Sequence, residues 1–171
     1  YILNMNNFNV INESSKYGHE GNAEEIYNLG EINIVDIKKK SIVKVNTGDI
    51  IKVVNDAMFY MQKKYPYLYL FVNACKVMYI PVFPSQMCDT MCVDNFNNLW
   101  INMNFVYNQC AMNKDRVFGI LFHEMFHIFL EHLLRFNAMF PKETRSAMNP
   151  ELFRMSNEKA NLAMDYEINA S

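Results

Sequence analysis

The first chemical signal lies in the middle of an apolar stretch. In Phe118–Leu134, FGILFHEMFHIFLEHLL, residues His123, Glu124 and His127 form the pattern H-E-x-x-H. Residues four apart share one helix face about 6 Å along the axis, so both imidazoles can converge on one ion. Glu124 falls one step round, where a carboxylate reaches a water on that ion without taking a ligand position. Two binding histidines with a glutamate as general base are the zinc-hydrolase arrangement. The flanks strengthen the signal: Val117, Phe118, Ile120, Leu121, Phe122, Met125, Phe126, Ile128, Phe129, Leu130, Leu133 and Leu134 surround it. A helix apolar all round is a buried core helix, and burying two histidines and a glutamate without partners costs several kcal/mol. The bland alternative is a pair of core histidines bonded to backbone, with no metal.

A catalytic zinc takes three protein ligands and leaves one position open. His132 lies nine residues after His123, and no glycine between His127 and His132 offers an easy turn. On a continuous helix His132 therefore points away from the ion, which suits a supporting or packing role. Glu131 lies near the His127 face but more than one turn along. The last helix offers more: in SNEKANLAMDYEINA, Glu158, Asn161, Asp165 and Asn169 make a polar stripe at spacings of three, four and four. A buried Asp wants a cation or donors. Asp165 is the expected third ligand, with Asn161 and Asn169 as supporting contacts and Glu158 and Glu167 in reserve.

The elements that must position these groups follow from periodicity and turn chemistry. Residues 32–45 alternate as a hairpin or strand pair around a solvated Lys38–Lys40 turn. Thr47 or Asp49 caps a helix through Ile51, Val54, Met58 and Met61, and Pro66 ends it and starts a second helix to Ala74. Lys76–Val82 reads as a strand. Met91–Asp94 and Leu99–Asn104 flank a polar turn and read as a hairpin. Asn113 caps the metal helix, expected over Lys114–Asn137 with Pro141 enforcing the end. Gly119, one turn before His123, suggests close approach of a strand or substrate. Residues 138–155 are expected to be loop, with the last helix starting near Ser156. Residues 1–30 read as an irregular arm with a short helix at Ala23–Leu29, and His19 as a lone loop histidine.

Composition bounds the rest. The chain has 171 residues, a net charge of −2, 51% hydrophobic and 14% aromatic residues, which suits a domain with a sizeable core. There is no basic excess for nucleic acid and no unbroken apolar span for a membrane. Abundant Asn, Ile, Lys, Tyr and Phe hint at an AT-rich, conceivably viral, genome. Cys75, Cys88, Cys92 and Cys110 have no zinc-knuckle spacing and read as reduced thiols, so a cytoplasmic setting is expected, host cytoplasm or virion if the source is viral. A start at Tyr1 without signal-peptide features reads as a processed or excised piece.

The segments LWIN, LFHEMFHIFLEHLLRF and NLAMDYEIN, in that order, resemble the zincin-like metallopeptidase domain often found ahead of a von Willebrand A-like domain. The matching positions are His123, Glu124, His127, His132, Arg135, Asn161, Ala163, Asp165, Ile168 and Asn169, and the resemblance covers roughly residues 48–170. Glu131 departs from it, standing where that family carries a small residue. The resemblance implies an α+β, zincin-like domain over 48–171, truncated at the C-terminus, behind an arm at 1–47, with a partner domain beyond Ser171. It implies a small mixed sheet packed on helices around the H-E-x-x-H helix.

Together these readings give a zinc peptidase acting on a peptide or protein substrate. His123, His127 and Asp165 hold Zn²⁺, and Glu124 is the general base. Leu99–Asn104 serves as an edge strand for the substrate, and Tyr107, Tyr166 or His132 supports the oxyanion. The rival reading is a structural or interaction domain, such as a virion or complex component, that keeps the fold without turnover.

Overall fold

The computed structural model describes residues 21–22, 30–81, 88–94 and 96–170. The expected helix at Ala23–Leu29 and His19 lie outside them. The architecture is α+β, as the sequence implies: two small sheets packed on helices.

Gly21–Asn22 forms a short strand, β1. The alternating stretch that follows forms an antiparallel pair, β2 (Glu31–Asp36) and β3 (Ser41–Asn46), with Glu31 opposite Asn46 and Asp36 opposite Ser41. Its register sends Ile32 and Ile34 into the core and leaves Val35 outside. Asp36 closes the turn by accepting from the amides of Lys38 (3.0 Å) and Lys39 (2.9 Å), which holds its carboxyl below the usual range. All three lysines stay in solvent, as expected of a solvated turn.

The first helix, α1 (Thr47–Lys64), is capped by neither Thr47 nor Asp49. Asn46 takes the role, its side-chain oxygen accepting from Gly48 N at 2.8 Å. Thr47 lies inside the first turn and donates its hydroxyl to Gly30 O at 3.2 Å. Pro66 then opens α2 (Pro66–Ala74), where its missing N–H costs nothing.

The larger sheet consists of β4 (Lys76–Ile80), β5 (Met91–Val93) and β6 (Asn98–Asn102), joined by β1, in the order β1-β4-β6-β5. β4 and β6 are parallel; β5 and β6 are the expected hairpin. β4 stops at Ile80 because Pro81 cannot extend the ladder. β6 stops at Asn102, whose side chain accepts from Phe105 N at 3.2 Å and caps an additional helix, α3 (Met103–Asn108). This order corrects one expectation: the 99–102 strand is interior, and β5 beside it is an edge, with β1 at the other. Asp94 pins the hairpin by accepting from Phe96 N, Asn98 N, Asn98 Nδ2 and Trp100 Nε1 at 2.7–2.9 Å.

The H-E-x-x-H helix, α4 (Lys114–Phe129), is capped by Asn113 as the sequence suggests. It does not continue to Asn137. The chain breaks at Leu130–Glu131 and resumes as α5 (His132–Met139), bent by 51°. Glu131 makes the turn in the left-handed conformation, φ 56° and ψ 30°, a geometry that costs an L-residue about 1–2 kcal/mol. Full burial of His132 and near-full burial of Phe136 offset that cost. Position 131, where the resemblance expects a small residue, is thus the one that turns left-handed.

Beyond Pro141 the expected loop contains a short helix, α6 (Lys142–Ala147), and the last helix, α7 (Pro150–Ala170), starts before Ser156. Asn149 replaces Ser156 at its start, accepting from Glu151 N at 2.8 Å.

The main core joins α1, α4, the sheet and the hairpin through residues such as Ile51, Met61, Leu99, Ile101, Leu121, Met125 and Ile34. A second cluster, Phe136, Phe153 and Met164, ties α5 to α7. Contrary to the all-round apolar pattern, α4 is not buried on every side. Its Phe118–Phe122–Phe126–Phe129 row packs in tilted and edge-on contacts at 4.9–5.9 Å between rings, meets Tyr60, Tyr65 and Phe71, and ends with Phe129 largely exposed. Among the described residues no single helix is long and apolar enough to cross a membrane.

Candidate metal centre

α4 presents His123 and His127 one turn apart on the same face, and α7 lies across that face with Asp165 directed at both. His123 Nε2 and His127 Nε2 are 3.1 Å apart. Asp165 Oδ1 is 3.2 Å from the first and 3.3 Å from the second. Three lone-pair atoms converging so closely repel one another unless a cation or protons lie among them. Tetrahedral zinc with bonds of about 2.0–2.1 Å spaces its donor atoms about 3.3–3.4 Å apart, close to this triangle. The residues present therefore fit a metal ion: two histidines and one aspartate could hold it.

Burial shapes the electrostatics. It pushes His127 down to about 3 and lowers His123, against the pull of the Asp165 charge. Both imidazoles are then neutral near neutral pH and need release no proton to ligate. Glu124, 3% exposed, is pushed up to about 7 by burial, with the Asp165 charge adding to the rise. The site is open on one side. His123 and Asp165 keep 31% and 41% of their side-chain surface, enough for a substrate to reach them. Gly119 is also exposed, and among the described residues a Cβ there would meet nothing within 4 Å, so of the strand or substrate that the sequence suggested no described strand closes on it.

The other candidate residues divide. The break at Glu131 swings His132 back beneath His127, with the two Nδ1 atoms 2.9 Å apart. His132 thus contacts a candidate ligand, and does so across a turn rather than from the continuous helix expected. Its Nε2 faces Glu167 Oε2 at 3.4 Å, and Arg135 Nη1 contacts both Glu167 oxygens at 2.9 Å. Glu131 itself is exposed at the bend and outside the ligand group. Asn161, one turn before Asp165, is partly buried, and its side-chain oxygen has no hydrogen-bond partner among the described residues. Asn169 is exposed in the last turn of α7. Glu158 pairs with Arg154 instead. Of the oxyanion candidates, the Tyr107 hydroxyl contacts Asp36 at 3.4 Å and Tyr166 is largely exposed. The sequence reading missed the Glu167–Arg135 support. The His132/Arg135 spacing of three, one helical face, was its available signal.

Compared with known proteins, the chain matches no family model, no curated protein and no solved structure at a significant level.

Proposed function

We propose that this chain is a zinc-dependent peptidase of the zincin-like kind that its motifs resemble. The observation that carries the reading is the His123–His127–Asp165 triangle beside a buried Glu124. Structural zinc sites close with four protein ligands, whereas catalytic ones hold three. Among the described residues the group numbers three, and neither Glu131 nor His132 fills a fourth position. That favours turnover over a purely structural role.

Zinc bound there would polarise a substrate carbonyl and acidify water towards neutrality. The chain's own groups do the rest. Glu124, near neutrality, accepts the proton of the attacking water and returns it to the leaving amine. β5, the sheet edge packed against α4, offers backbone groups for an extended peptide to pair with.

The test is Glu124→Gln assayed on denatured casein. The variant is expected to keep zinc and its fold while losing cleavage by about 10²–10⁴-fold. Wild-type protein that binds zinc but cleaves nothing would return the chain to the structural reading.

A further inference from the structure

His127 has two ring nitrogens and one proton to place when neutral. Only with that proton on Nδ1 does Nε2 offer a lone pair to Asp165 and His123, and the hydrogen bond made by the other nitrogen decides which form is held. That other bond is unusual, because its partner is a second imidazole, His132 Nδ1, at 2.9 Å. A pair of imidazoles can bond in either direction. If His132 donated from Nδ1, His127 would carry its proton on Nε2 and could not ligate.

Something must set the direction, and the line does not stop at His132. On its far side Nε2 lies 3.4 Å from Glu167 Oε2, not aligned as a hydrogen bond but close enough for the carboxylate charge to favour an N–H there over a lone pair, and a carboxylate can only accept. A proton drawn to His132 Nε2 leaves His132 Nδ1 as an acceptor, and that makes His127 the donor. Arg135, one turn further along α5, holds Glu167 in place through Nη1, 2.9 Å from both oxygens. The line joins both helices that meet at the site, with His132 wholly buried and Glu167 at the surface of α7.

We propose that Glu167, held by Arg135 and acting through His132, fixes the ring polarity of His127 so that its Nε2 lone pair faces Asp165 and His123. Glu167 and His132 are positioning residues, since neither stands in the ligand group. The proposal deepens the metal-centre reading and rests on it for its purpose, although the ring polarity itself can be read without metal.

The experiment uses the full chain. Long-range proton–nitrogen NMR of the metal-free protein near neutral pH locates the ring protons, and chelator competition gives zinc affinity. Wild type is expected to show His127 protonated on Nδ1 and His132 on Nε2. Glu167→Gln, whose amide can donate or accept, should mix the His132 forms and weaken zinc by about 10–100-fold. Glu167 and Arg135 are half-exposed, so the melting of the metal-free chain should not move with them. His132→Phe should weaken zinc similarly, with Glu167→Gln guarding against misfolding of the buried variant. His127 protonated on Nε2 in wild type, or unchanged zinc affinity in both variants, would overturn the proposal. Ring protons placed as stated without any zinc uptake would uphold it and defeat the metal-centre reading instead.

Discussion

Glu124, His123 and His127 announce themselves by type and spacing, and Asp165 by its place in a stripe of polar residues three and four apart on the last helix. His123 and His127 were legible because helical periodicity puts them on one face, and Asp165 because the same periodicity lines it up with Asn161. His132 was only half legible. Its role follows from a left-handed turn at Glu131, and no sequence rule marks a glutamate for that conformation. The acid response of the metal-free protein belongs to this scale. Burial lowers His127 from 6.5 to about 3, so between those values the unfolded chain binds a proton that the folded chain refuses. Its contribution is therefore complete above about 6.5 and lost as the pH falls towards 3. Glu124 has the opposite sign: raised from 4.5 to about 7, it favours folding below 4.5 and loses that contribution as pH rises through 7. His127 moves further, and His123 and His132 move in its direction, so they decide the net effect. Thermal melts of chelator-treated protein should show the midpoint dropping steadily below pH 6.5. A midpoint that holds or climbs on acidification would contradict the buried, neutral histidines.

At the scale of elements, two devices hold the site. The first is the α4–α5 break. Replacing Glu131 by Gly should relieve the left-handed backbone and leave stability unchanged or higher by up to about 1 kcal/mol. Replacing it by Ile should cost about 1–2 kcal/mol and loosen zinc through His132. Denaturant midpoints and zinc affinity of the two variants check this, and equal behaviour would deny the turn its role. The second device is Asp94, only 1% exposed, which gathers two amides, the Asn98 amide and the Trp100 indole. Asp94→Ala leaves those donors without their acceptor and should cost about 3 kcal/mol in urea unfolding. On the peptidase reading proposed above it should also raise KM for peptide, because β5 is a sheet edge that this turn steadies. The strands around it were readable from their alternation. Their order was not, since a parallel β4–β6 pairing depends on contacts distant in sequence.

The whole molecule is a frame that brings the last helix across the His123/His127 face of α4. Its main core joins α1, α4 and the sheet, whereas α7 is held chiefly by Phe136, Phe153, Met164 and the site itself. A metal bound between α4 and α7 should therefore stabilise the chain by linkage, about 2.7 kcal/mol when free zinc stands at a hundred times its Kd. Chelator should lower the melting midpoint of wild type while leaving His127→Ala unmoved; a wild type indifferent to chelator would show that no ion ties these helices. The helix-on-sheet plan was legible from periodicity, but the helix starting at Pro150 was not, because Asn149 competed with Ser156 as its cap. The central claim, that one ion is held jointly by α4 and α7, is tested most directly by the metal content of purified protein, measured by plasma mass spectrometry. Wild type should carry about one zinc per chain, and His127→Ala and Asp165→Ala should each carry none. Zinc retained in Asp165→Ala, or absent from wild type after reconstitution, would contradict it.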